Sequence, residues 1–67
     1  MEKLLCFVAK KTTSREILEL LAKCPYLEVI KAVIDNPNTP YKKLTKLAKD
    51  NYRIVRSAAR ENLKMRN

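Results

Sequence analysis

The side chains with the most reactive chemistry in this chain are two cysteines, and neither has the partners that catalysis or metal binding requires. The 67 residues include no His, so Cys6 and Cys24 have no histidine base. A reactive thiol also needs an accessible environment that favours the thiolate. The two cysteines lie 18 positions apart and neither belongs to a CxxC pair, which is the spacing typical of zinc sites. We expect Cys6 to pack at a close helix contact.

The acidic residues and the absence of glycine argue against enzymatic chemistry more generally. Seven Asp and Glu residues are scattered along the chain without pairing, whereas general acid–base catalysis needs positioned partners. A chain without Gly cannot form a glycine-rich loop around a phosphate. We therefore expect no enzymatic activity, no catalytic residue, no metal site and no cofactor.

The basic residues form the next candidate site. The chain has 15 Lys and Arg residues and a net charge of +8. Residues 1–33 carry six basic and four acidic groups, net +2, whereas residues 34–67 carry nine and three, net +6. Helical spacing places the C-terminal cations in two stripes, one of Lys42, Lys46 and Lys49 and one of Arg53, Arg56, Arg60 and Lys64. Two functions remain open: binding to a phosphate backbone without sequence preference, or solvation of a helix face.

The elements that must position these residues follow from an internal repeat. Shifted by 26 positions, the chain matches itself without a gap, and 10 of the 41 superposed pairs are identical. A period in this range is typical of stacked supersecondary units. Identical pairs include Leu18 and Leu44, Leu21 and Leu47, Tyr26 and Tyr52, Val29 and Val55, Ala32 and Ala58, and Asn36 and Asn62. Because the two tyrosines are equivalent, we expect them to share a packing role rather than to stack on bases.

Apolar spacing of three and four residues predicts five short helices and no strand. The stretch Glu2 to Lys10 matches the second helix of a repeat, so the chain starts within a repeat unit and Cys6 aligns with Ala32 and Ala58. Thr13 and Glu16 have the spacing of a capping box, and Thr39 before Pro40 predicts an N-cap followed by a first-turn proline.

At these residues the chain resembles the leucine-rich repeat variant family, and more loosely HEAT-type repeats. The resemblance is carried by Leu44-x-x-Leu47-Ala48-x-Asp50, Val55-Arg56-x-Ala58-Ala59-x-x-Asn62 and Asn36-Pro37-Asn38-Thr39-Pro40. It implies an all-α fold, a short right-handed α-solenoid of about two and a half 26-residue helical repeats, in which α-helices alternate with tighter 3₁₀-like helices. The iron–sulfur cluster of one family member uses a separate group of cysteines that this chain does not match.

One difference between the repeats suggests an association surface. Ile17 and Leu20 align with Lys43 and Lys46, so equivalent positions are apolar in one copy and polar in the next. Leu27 and Ile30 likewise align with Arg53 and Arg56. Either the N-terminal helix covers Ile17 and Leu20, or the four apolar residues form an exposed patch for a partner. The candidate protein interface consists of Ile17, Leu20, Leu27 and Ile30.

Taken together, the sequence predicts one helical-repeat domain over residues 1–67 that acts as a non-enzymatic binding module. We expect protein–protein interaction or self-association first, with sequence-nonspecific nucleic-acid binding through the basic C-terminal half as the alternative. The longest apolar run, Leu4 to Ala9, has six residues and is too short to span a bilayer or to form an export signal. We therefore expect a cytoplasmic protein with no membrane partner.

Overall fold

The computed structural model describes residues 1–66, and they form five α-helices with no strand. The helices are α1 (Glu2–Lys11), α2 (Arg15–Leu21), α3 (Leu27–Asp35), α4 (Tyr41–Leu47) and α5 (Arg53–Met65). The predicted all-α class and the number of helices are confirmed. The 3₁₀-like helices that the family resemblance implied are not present among these elements, although α2 and α4 have only seven residues each.

The core is formed by the apolar stripe of each helix, at the positions that the repeat predicted for α2 to α5. Leu18 and Leu44 are fully buried in the two short helices, and Val29 and Val55 are fully buried in the longer ones. Helices this short are not stable alone in water, so their stability comes from this shared packing.

Helix α3 is the central element of the packing. It contacts α1 on one side and α5 on the other, and α2 packs against both α1 and α3. Helix α4 packs mainly against α5. The main contacts therefore join helices that are at most two elements apart in the chain.

Helix starts follow the sequence period except at the N-terminus. Helices α2 and α4 begin at residues 15 and 41, and α3 and α5 begin at residues 27 and 53, each pair 26 residues apart. The gapless alignment is wrong over α1. It pairs Phe7 with Val33 and Ala9 with Asp35, but Phe7 and Asp35 are exposed whereas Ala9 and Val33 are fully buried.

The reason for the shifted register is the length of one connection. Three residues, 12–14, join α1 to α2, whereas five residues, 36–40, join α3 to α4. Moving α1 by these two residues aligns the fully buried Ala9 with the fully buried Val33, and the partly buried Leu5 with Val29. Cys6 then corresponds to Ile30 rather than to Ala32. It packs against the core and is partly buried.

The helix N-termini use different capping residues from those predicted. Ser14, not Thr13, is the N-cap of α2, and its Oγ accepts a hydrogen bond from the backbone N–H of Ile17 at 3.3 Å. Thr39 does not cap α4, because its buried hydroxyl donates to the carbonyl of Val33 at the end of α3. The same carbonyl accepts the backbone N–H of Asn36 at 3.1 Å, so Thr39 adds a second hydrogen bond at the end of α3.

Asn36 ties the end of α1 to the connection between α3 and α4. Its side chain is 2% exposed. Nδ2 donates to the carbonyl oxygens of Ala9 and Thr12 at 2.7 and 2.8 Å, and Oδ1 accepts from the N–H of Asn38 at 2.7 Å. One amide therefore satisfies three backbone groups of two different segments.

Candidate functional site

Helices α1 and α2, in the N-terminal half of the chain, expose large apolar side chains. Leu4 is 59% exposed, Ile17 40% and Leu20 68%. Residues two apart on a helix point about 200° apart, so Ile17 lies on the flank of α2 opposite Glu19, which lines a cavity shared with α4. In the same way, Leu4 lies opposite Cys6, which lines a cavity shared with Glu28 of α3. We call Leu4, Ile17 and Leu20 the apolar end.

Only two of the four predicted interface residues are exposed. Ile17 and Leu20 are exposed, so the N-terminal helix does not cover them. Ile30 is 8% exposed and belongs to the core, and Leu27 packs partly buried against that core. The assignment of Ile30 to an exposed patch is wrong, because Ile30 is buried in α3, whereas Arg56 at the equivalent position of α5 is only partly buried.

Helix α5 carries arginines at two positions where α3 carries isoleucines. Ile30 and Ile34 of α3 are 8% and 1% exposed, and the equivalent residues of α5 are Arg56 and Arg60. Arg56 Nη1 donates to the carbonyl of Asp50 at 3.2 Å, and Arg60 Nε donates to the carbonyl of Ala48 at 3.1 Å. Both arginines thus satisfy carbonyls that follow the last turn of α4, where positive charge is favoured.

These hydrogen bonds change how the second basic stripe is interpreted. The sequence placed Arg56 and Arg60 in a stripe that either binds a phosphate backbone or forms a solvated helix face. In the structure both guanidinium groups bind the protein's own backbone. Arg53 and Lys64, from the same stripe, are exposed on α5. Arg66 extends the pattern, since its Nη2 donates to the carbonyl of Asn36 at 2.9 Å and its Nε donates to Asn62 Oδ1 at 2.7 Å.

The largest concentration of lysines lies in a cleft between α2 and α4. A cavity of about 320 Å³ is lined by the side chains of Glu19, Lys23, Lys42, Lys43 and Lys46. We call this cleft the basic groove. Lys42 and Lys46 belong to the first predicted stripe, whereas Lys49 is exposed nearby and does not line the cleft. Four cations and one carboxylate line the cleft, so the groove suits an anionic ligand.

A second cavity, of about 560 Å³, continues from the basic groove and shares three of its lysines, Lys23, Lys43 and Lys46. Its further lining includes Pro25, Ile30, Leu47, Asp50 and Tyr52. Tyr52 is 68% exposed, so the packing role expected for it is wrong. Tyr26 is also exposed, at 40%. The two cavities together are lined by lysines from both sides of the cleft and by one exposed tyrosine.

Two of the groove lysines were not recognised from the sequence as a site. Lys23 follows α2, and Lys43 stood out only as the polar counterpart of Ile17. Their proximity to Lys46 is a result of helix packing. One feature of the sequence did point to Lys23. It is identical to Lys49 in the repeat, and both residues follow the end of a short helix.

Two further observations concern other classes of site. Within residues 1–66, no group of three or more His, Cys, Asp and Glu side chains lies close enough to hold a metal ion. Over the same range, none of the helices combines the length and the apolar character needed to cross a bilayer. Comparisons of the chain with protein-family models, with curated proteins and with solved structures found no match.

Proposed function

We propose that this protein is a non-enzymatic helical-repeat module that self-associates through its apolar end. The observation that carries the proposal is the exposure of three large apolar side chains on α1 and α2, Leu4, Ile17 and Leu20. We take these side chains to form one patch, and exposed apolar patches are typical of interaction sites. The lack of His and the scattered acids support a binding role over catalysis.

The proposed architecture is a short right-handed α-solenoid of the leucine-rich repeat variant type. It is supported by the 26-residue spacing of equivalent helices and by packing between neighbouring elements. A stack of repeats needs a polar surface at each free end to remain a monomer. Arg56 and Arg60 contribute to such a surface on α5, whereas Leu4, Ile17 and Leu20 leave apolar side chains exposed on α1 and α2.

The partner that fits this surface best is a second copy of the chain. The C-terminal end is cationic and bonded to its own backbone, so it does not accept an apolar face in a head-to-tail arrangement. Two apolar ends, in contrast, are complementary to each other and form a closed dimer with twofold symmetry. This arrangement also brings together the halves with a net charge of +2 and keeps the halves with +6 apart.

The test replaces Ile17 and Leu20 with Lys, as at the equivalent positions 43 and 46. Sedimentation equilibrium over a concentration series should show the wild type approaching twice 7.8 kDa and the double variant remaining at 7.8 kDa. Ile54→Lys is the matched control, because Ile54 is 55% exposed on α5, away from the apolar end. It should dimerise like the wild type.

Three outcomes would contradict the proposal. The wild type could remain a monomer at the highest concentration, or its mass could rise without limit, which indicates an open head-to-tail polymer. The double variant could also lose helical circular dichroism at unchanged mass, which would show that both residues stabilise the monomer. Added salt should strengthen the dimer, because it screens repulsion between two cationic chains.

A further inference from the structure

We propose that the cleft between α2 and α4 binds single-stranded nucleic acid, with the lysines of the basic groove on the phosphates and the ring of Tyr52 stacked on a base. This function is separate from self-association, since it uses the opposite flank of α2. It also differs from the basic stripes predicted from the sequence. Lys23 and Lys43 belong to the site, whereas Arg56 and Arg60 are bound to backbone carbonyls.

The lysines supply the contacts to the backbone of the strand. Lys23, Lys43 and Lys46 line both cavities, and Lys42 lines the narrower one. Their ammonium groups are point charges on long flexible stems, which suits phosphates at variable positions. The carboxylates in the lining are Glu19 and Asp50, and Asp50 Oδ1 accepts the N–H of Tyr52 at 2.8 Å, so it orders the turn before α5. The two cavities together are lined by four lysines and two carboxylates, so the net charge of the lining is positive.

Tyr52 determines that the ligand is a nucleic acid rather than an acidic peptide. Its ring lines the wider cavity together with Pro25, while its side chain stays 68% exposed. A large aromatic residue left open beside lysines is the combination that single-strand binding proteins use, because every base has a face that can stack. An acidic peptide would need the lysines and would gain nothing from this ring.

A single strand fits the site better than a duplex does. Stacking on Tyr52 requires a base that is free of its neighbours, whereas the bases of a duplex are already stacked and paired. The strand would run along the groove, with phosphates at Lys43 and Lys46 and one base at the tyrosine end. We expect little sequence preference, because phosphate contacts position a strand without specifying its bases.

Fluorescence anisotropy with a labelled oligothymidylate of about 12 nucleotides tests the proposal, since single-strand sites cover roughly 4–16 nucleotides. Neutralising three phosphates predicts a slope of about −2 for log affinity against log salt. Lys43→Ala with Lys46→Ala should reduce the slope to about −0.7. Lys31→Ala with Lys64→Ala removes the same charge from exposed sites outside both cavities and should leave the slope unchanged.

The aromatic contact is tested by a second pair of variants. Tyr52→Ala should weaken binding by about 5- to 150-fold, the range expected for one stacked base, without changing the salt slope. Tyr52→Phe keeps the ring and should bind like the wild type. Tyr41→Ala is the control for removing an exposed tyrosine, because Tyr41 is 65% exposed and lines neither cavity of the groove. Circular dichroism should show the same helix content in all variants.

Several results would overturn this inference. They are failure of the wild type to bind the oligonucleotide at low salt, equal affinity for a duplex of the same length, equal affinity for polyglutamate, or no loss in Tyr52→Ala. The two proposals fail separately, because salt weakens the nucleic-acid complex and strengthens the dimer. The Ile17→Lys and Leu20→Lys variant should still bind the oligonucleotide as a monomer.

Discussion

Replacing Asn36 with Ala should remove a large part of the stability of this fold. The substitution eliminates the two bonds that Nδ2 donates to the carbonyls of Ala9 and Thr12 and the bond that Oδ1 accepts from Asn38. A typical intramolecular hydrogen bond contributes about 1 kcal/mol to stability, so the three together contribute about 3 kcal/mol. The carbonyl of Ala9 lies in a buried environment, and leaving it without a donor adds to the loss.

This loss is large compared with the total stability of a domain of this size. At roughly 0.05–0.15 kcal/mol per residue, a chain of 67 residues has about 3–10 kcal/mol to lose. Urea denaturation followed by circular dichroism measures the change directly. With an m-value of about 1 kcal/mol/M, the midpoint should fall by about 3 M, or the variant should already be unfolded without urea.

The control for Asn36 is its repeat equivalent, Asn62. Asn62 is partly buried and its side chain accepts one bond, from Arg66 Nε at 2.7 Å on the exposed end of α5. Asn62→Ala should therefore cost about 1 kcal/mol or less. Equal urea midpoints for the two alanine variants would refute the reasoning, because they would show that the buried amide of Asn36 does not stabilise the junction between α1 and α3.

Three further predictions concern the core, the arginines and the basic groove. Ala59→Leu should lower the free energy of unfolding by about 1–3 kcal/mol, because Ala59 is fully buried. Ser57→Leu should change it little, because Ser57 is exposed. Similar melting temperatures for the two variants would disprove this packing. Arg60→Ala should cost about 1 kcal/mol through the lost bond to the Ala48 carbonyl. Arg53→Ala, at a position of the same helix that is exposed as Arg60 is, should cost less than about 0.5 kcal/mol. Glu19→Gln should raise affinity for an oligothymidylate, because Glu19 faces the groove lysines; weaker binding would contradict a phosphate ligand there.

The helices and most of the core could be predicted because burial in this chain follows a local pattern. Leu18 and Leu44, and Val29 and Val55, keep the same position in successive helices, so apolar spacing alone identifies them. The neighbouring residues Ala58 and Ala59 show where apolar spacing alone does not identify the buried position. The repeat aligns Ala58 with Ala32, which is buried, but the structure leaves Ala58 partly buried and buries Ala59 completely.

The register of α1 could not be predicted, because it depends on the length of a connection rather than on the helix itself. The turn of residues 12–14 is two residues shorter than its counterpart, and an ungapped alignment cannot represent that difference. The roles of Asn36, Arg56 and Arg60 were missed for a related reason. Each binds a carbonyl of another segment, from 6 to 27 residues away, and no spacing rule within one helix predicts such bonds.

The basic groove could be predicted only in part. The lysines of α4 were recognised by their helical spacing, but the cleft exists only because the end of α2 lies beside α4. Lys23 therefore enters the site through packing. The exposed ring of Tyr52 could not be inferred either, because its identity with Tyr26 argued for a shared place in the core.

The packing of each helix mainly against its near neighbours in the chain has a consequence for how the protein folds. No main contact requires the two ends of the chain to meet, so the entropy lost in closing loops is small at every step. Proteins dominated by such local contacts fold in microseconds to milliseconds. Because α3 contacts both α1 and α5, a nucleus that includes α3 can extend in either direction along the chain.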